Sequence, residues 1–154
     1  GSEMCIRDRL KSNPEMYLPV LVEEILRLEG PVQGLFRETA CDVEFHGVRI
    51  PKGSVINVRY ACANVVDEIF EIPQELNLER ANARQHLAFG FGTHYCMGAP
   101  LARREILLSF KVLLEKVDEM WFLEDLNDFK HHQNYCLRAL RELHIGFTKC
   151  DISV

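Results

Sequence analysis

Residues 89–103, FGFGTHYCMGAPLAR, constrain the fold more than any other stretch of this 154-residue chain. Gly90, Gly92 and Gly98 admit backbone angles closed to other residues and let a flat group come close to the main chain. Pro100 suits the first turn of a helix, where a missing N–H costs little. From there to about Val117, the apolar residues Leu101, Ile106, Leu107, Phe110, Leu113, Leu114 and Val117 spread too broadly for a single stripe. That predicts a helix buried on more than one side. One thiol, Cys96, sits between the turn and the helix.

A sulfur at the mouth of a helix meets unpaired N–H groups and the positive end of the dipole. Both favour the anion, so Cys96 is expected as a thiolate, with the amides of Met97, Gly98 and Ala99 as donors. Such a group is a nucleophile or a metal ligand. A nucleophile needs a base, for which His86 and His94 are the candidates. Structural zinc takes four protein ligands, and His94 and Cys96, two residues apart, make a poor zinc pair. A haem iron takes a single thiolate on one side, and glycines beside it give a porphyrin room.

The six cysteines, Cys5, Cys41, Cys62, Cys96, Cys136 and Cys150, include no CxxC pair and fit neither a zinc ribbon nor a compact disulfide framework. A reducing, cytoplasmic setting is the expectation. With 27% charged residues and a net charge of -5, the chain reads as one soluble domain with no overall basic footprint for nucleic acid. No apolar run is long enough for a membrane span, and no signal peptide is visible.

Along the chain, Pro14 and Pro19 both read as first-turn prolines. From Leu18 the residues Leu18, Val22, Ile25 and Leu26 share one helical face, with Glu24 and Arg27 on another, until Gly30 and Pro31 stop the helix. Val43 and Phe45, the turn His46-Gly47, and Val48 and Ile50 predict a hairpin, and Ser54–Tyr60 a third strand. Residues 61–71 read as one or two short helices and 72–88 as irregular. Leu137, Leu140, Leu143, Ile145 and Phe147 suggest one or two strands in the tail.

Phe89 to Gly98 resembles the haem-binding signature of the cytochrome P450 family, and Ala99-Pro100-Leu101-Ala102-Arg103 resembles its continuation into the helix beneath the haem. His94, two residues before the cysteine, is similar to the soluble bacterial branch. Glu24-Ile25-Leu26-Arg27 resembles the family's ExxR motif. Alone it would be an ordinary solvated ion pair, but it stands in the right order before the cysteine loop. Arg37 through Ile56 resembles the family's small sheet. Val65-Val66-Asp67 departs from the Arg-Asp-Pro common there, and His144 from a common proline.

The resemblance implies a mainly α fold with a small β-sheet (α+β), namely the C-terminal portion of the cytochrome P450 fold without the distal central helix. It implies haem b (iron protoporphyrin IX) with Cys96 as axial iron ligand. Arg37, His86 and His94 would contact the haem propionates. Phe89 would shield the thiolate, and Gly90, Gly98 and Ala102 would lie against the cofactor. Glu24 and Arg27 would lock to Arg80. Gln33, Gly34, Leu35, Tyr135 and Cys136 would face a small apolar substrate. The implied activity is O2 activation and insertion of one oxygen atom. Electrons would come from a ferredoxin or flavodoxin with its reductase, docking near Arg103 and Arg104, and the parent enzyme would be monomeric. The alternative is a non-catalytic truncated domain without stable haem binding.

The first nine residues, GSEMCIRDR, resemble a sequencing-library transposase adapter read in frame. The expectation is a non-native leader at 1–9, which removes Cys5 from consideration, followed by the haem-binding portion at 10–154.

Overall fold

In the computed structural model, which describes residues 5–150, the helices are α1 (Ile6–Ser12), α2 (Pro14–Glu29), α3 (Tyr60–Ala63) and α4 (Ala99–Lys116). The strands are β1 (Leu35–Glu38), β2 (Val43–Phe45), β3 (Val48–Ile50), β4 (Val55–Val58), β5 (Val117–Phe122) and β6 (Ile145–Lys149). Residues 1–4 of the expected leader lie outside the described residues. α1 runs across its expected boundary, with Arg9 paired to Glu79 at 2.6 Å.

α2 begins at Pro14, and the Asn13 side chain accepts from the Met16 amide at 3.3 Å, a capping bond. Pro19 is therefore an interior proline and not a first-turn one. It is tolerated because it is exposed, so the Glu15 carbonyl it leaves unpaired can meet water. Leu10, Leu18, Leu21 and Leu78 form the core, with Tyr17, Ile25, Leu76, Phe110 and Leu114 packed against it. α2 is thus the central element, covered by α1, by α4 and by the irregular segment around Leu78.

α4 differs from expectation. Ala99 is its only buried residue, and Leu101, Leu108 and Val112 are exposed. Its contacts run to α2 and α1 on one side, and within the described residues no second layer lies across it. Residues 61–71 hold one turn of helix, α3, followed by turns.

The strands pair as three separate two-stranded antiparallel sheets among the described residues, β1–β4, β2–β3 and β5–β6, instead of one small sheet. In β2–β3, His46 (φ 48°) and Gly47 (φ 77°) form the tight turn that a two-residue hairpin needs. The expected strand at Ser54–Tyr60 is shorter, Val55–Val58, because Tyr60 already starts α3. In β5–β6, Trp121 lies opposite Gly146, where an added Cβ would sit 2.4 Å from the indole. Gly146→Ala is expected to push the indole off the strand and destabilise this ladder by about 1–3 kcal/mol. The chain has one tryptophan, so a shift in intrinsic fluorescence reports the displacement directly. An unchanged spectrum and midpoint would refute it.

Candidate haem-thiolate site

The irregular segment 71–80 is fixed from inside by α2. Glu24 (0% exposed) and Arg27 (1%) point inward. Arg27 Nε and Nη2 donate to Glu24 at 2.6 and 3.0 Å, a two-point fork. Arg80 Nε lies 3.1 Å from the same carboxylate, which also accepts the Asn77 amide at 2.9 Å. The remaining guanidinium N–H groups donate to main-chain carbonyls. Arg27 reaches Asn64, Pro73 and Glu75, and Arg80 reaches Glu71, Ile72 and Glu75. Ile72 adopts φ 45°, uncommon for a β-branched residue. Its carbonyl is one of those turned onto Arg80. Glu24, Arg27 and Arg80 thus meet in one buried cluster, and Phe70 lies under both guanidinium groups.

A second carboxylate on α2 reaches the cysteine loop. Glu23 accepts from Arg103 Nε and Nη2 at 2.8 and 3.0 Å, from His86 Nε2 at 3.0 Å and from Arg84 Nε at 3.2 Å. Sequence reasoning passed over Glu23. Its one signal was a second acid directly beside the motif glutamate, in the apolar middle of the helix. Burial pushes the Glu23 carboxyl up, but hydrogen bonds from His86 and Arg103 and their charge outweigh it, holding it at about 2 against an ordinary 4.5. Glu24 is lowered too, its burial outweighed by Arg27, the Asn77 amide and Arg80.

Both carboxyls bind protons less readily in the folded chain. The stability they add is therefore present above the unfolded value of 4.5 and is lost as pH falls through their lowered folded values, about 2 for Glu23. Thermal midpoints followed by circular dichroism should decline across that window, and less steeply in Glu23→Gln. Identical slopes would contradict this.

The loop carrying Cys96 closes on itself. Gly90 (φ 73°) and Gly92 (φ 75°) take left-handed angles, and the Cys96 amide donates to the Phe89 carbonyl at 3.0 Å. Residues Gly92–His94 form a single 3-10 turn. α4 starts three residues after Cys96, with the Ala99 amide on the Cys96 carbonyl at 3.2 Å and the Ala102 amide on Gly98 at 2.9 Å. The Cys96 thiol is free and exposed, and a Cβ added at Gly98 would stand 3.7 Å from its sulfur. Around it Phe91 (87%), Met97 (96%) and Leu101 are exposed apolar residues. Among the described residues no three His, Cys, Asp or Glu side chains gather as a metal cage. The donor set is one thiol on an apolar, glycine-relieved surface. That suits a flat, mostly apolar group needing one sulfur ligand, so the residues fit a haem.

The other expected residues fall in several places. Phe89 is half-buried, its ring 4.7 Å below the Arg103 guanidinium and facing Tyr95 edge-on. His94 is exposed on the loop. Arg37 is exposed on β1 and donates to the Phe36 carbonyl at 2.8 Å. His86 is turned toward α2. It is buried, its Nδ1 accepts the Ala88 amide at 3.1 Å, and Nε2 is left to serve Glu23. Arg103 is held by Glu23 and donates to Tyr95 Oη at 2.9 Å, whereas Arg104 is exposed.

Gln33 and Cys136 are brought together through the Gln33 amide and the Cys136 carbonyl at 2.7 Å, beside the Val32–Leu137 bridge. Leu35 and Tyr135 are exposed. Gly34 is packed away instead, since a Cβ there would meet the Val58 carbonyl at 2.6 Å. A side chain at this position would therefore clash with the backbone.

The profile of the family described as Cytochrome P450 matches residues 10–119. The chain belongs to the cytochrome P450 family. The polyketide biosynthesis cytochrome P450 PksS of Bacillus subtilis is 36% identical over 143 residues, which is 92% of this chain and 35% of that protein. Steroid C26-monooxygenase of Mycobacterium tuberculosis is 35% identical over 130 residues, 81% of this chain and 34% of that one. Among solved structures, substrate-free cytochrome P450 CYP150A6 of Mycobacterium marinum superposes with a TM-score of 0.89 at 35% identity, over 94% of this chain and 37% of that one. The P450 chain described here spans about a third of the length of these relatives. No helix among its described residues is long and apolar enough to cross a membrane.

Proposed function

We propose that this chain supplies the thiolate-bearing part of a haem monooxygenase, with Cys96 as the iron ligand in haem b. The observation that carries the reading is an exposed thiol at the mouth of α4, in a loop opened by Gly90 and Gly92 and clear of side chains at Gly98. When bound, the haem supplies O2 activation, leading to insertion of one oxygen atom into a substrate. The chain's own residues have simpler tasks. Cys96 donates electron density, and the positive end of the α4 dipole, with the Met97 and Gly98 amides, stabilises its charge. Phe89 packs beside it and limits water. Arg37 and His94, both exposed cationic or hydrogen-bonding side chains, are proposed to hold the propionates.

Gln33, Leu35, Tyr135 and Cys136 are proposed to border a small apolar substrate. Arg104, with Arg84, offers positive charge on the α2–α4 side to an acidic ferredoxin or flavodoxin served by its reductase. A cytoplasmic, monomeric enzyme fits these partners. Residues 10–154 are proposed as the haem-binding portion and 1–9 as a non-native leader. Native upstream codons for GSEMCIRDR would sink the leader.

The chain is loaded with haem, reduced and exposed to carbon monoxide. A strongly red-shifted Soret band supports the reading. Absence of haem uptake favours a non-catalytic domain without stable haem binding.

A further inference from the structure

Glu23 has no part in the ExxR cluster, yet it gathers three partner residues from distant sequence. Arg84 and His86 arrive from the chain ahead of Cys96, and Arg103 from the helix behind it. The Arg103 contact is the tightest, a two-point fork onto a carboxylate that is 7% exposed. From there the same guanidinium touches the loop twice. Its Nη1 donates to Tyr95 Oη at 2.9 Å, and its plane lies 4.7 Å from the Phe89 ring centroid. Phe89 in turn accepts the amide of Cys96 at 3.0 Å. His86 completes the enclosure, its ring 6.1 Å from Phe89.

We propose that Glu23 and Arg103 are positioning residues that hold the Cys96 loop on α2 and so set where the sulfur points. The purpose assigned to the loop rests on the haem-thiolate reading, but its immobilisation does not. A charged, bidentate contact keeps a planar fork in one orientation, which a single neutral hydrogen bond cannot do. The fork then fixes the residues before and after the cysteine without touching the sulfur. Removing the Glu23 charge leaves Arg103 half-buried without its anion, and the two loop contacts lose their anchor. Arg84 adds little, because its side chain is 77% exposed.

The immobilisation is measured on the full chain without haem, by amide hydrogen exchange in Glu23→Gln and Arg103→Gln. The Cys96 and Ala99 amides should exchange about tenfold faster, the loss expected for a charge-assisted bond, while the β5–β6 amides keep their rates. Unchanged exchange at Cys96, or equal acceleration in β5–β6, overturns the proposal. Should neither variant fold, Tyr95→Phe removes one exposed hydroxyl and should still speed exchange at Cys96 alone; no change there overturns it equally.

In the haem-loaded chain, the same variants should move part of the reduced carbon monoxide band back to the blue at unchanged haem content. Faster exchange with an unmoved band overturns the positioning role. If the unsubstituted chain shows no red-shifted band, the haem-thiolate reading fails, and the exchange rates alone decide whether Glu23 holds the loop.

Discussion

Arg27→Ala is expected to leave the chain largely unfolded. The side chain is 1% exposed and its departure strands Glu24, itself fully buried, without its closest counter-charge. Breaking a buried pair from one side costs about 3–5 kcal/mol, against a total of about 5–15 kcal/mol for an ordinary domain. The loss extends beyond the pair, because the carbonyls of Asn64, Pro73 and Glu75 lose their donor in the same step. Arg27→Lys should rescue little, since an ammonium cannot reproduce the fork and serve three carbonyls. Urea unfolding followed by circular dichroism checks this. A midpoint within experimental scatter of the parent would refute it.

Cys96→Ala is expected to do the opposite: nothing to the fold, everything to the cofactor spectrum. The thiol is exposed and free, so its loss should change stability by about 0.5 kcal/mol or less. The red-shifted Soret band of the reduced carbon monoxide complex should disappear, because no second thiol stands in the glycine loop and the Met97 thioether cannot become a thiolate. Persistence of that band in Cys96→Ala would assign the ligand elsewhere and end the proposed function. Together the two variants separate what holds this chain together from what it holds.

Much of this was legible in the sequence, for identifiable reasons. The glycine loop announced itself because left-handed angles at Gly90 and Gly92 demand that residue type. The β2–β3 hairpin was marked by His46-Gly47 for the same reason. α2 was legible through its 3.6-residue pattern, though its start was misplaced because Pro19 reads like a first-turn proline until the Asn13 cap is seen. β1 left little trace, since all four of its residues are exposed and no alternation marks it. β5 follows α4 without a breaker, so its first residue, Val117, read as the end of the apolar helix. The Glu23 assembly was illegible because its partners lie 61 to 80 residues away. The bond from His86 to Glu23 was illegible for the same reason, since it depends on packing between α2 and the loop.

The carbonyls collected by Arg27 and Arg80 imply an unusual kind of tolerance. Segment 71–75 has no ladder of its own, and two guanidinium groups on other parts of the chain act as its template. A template that reads only carbonyl oxygens is indifferent to which side chain each residue carries, since every amino acid brings the same oxygen. It is strict about spacing, because one residue more or fewer would shift the following oxygens out of reach. Outside the left-handed position held by Ile72, related chains can therefore change the letters of this segment more readily than its length.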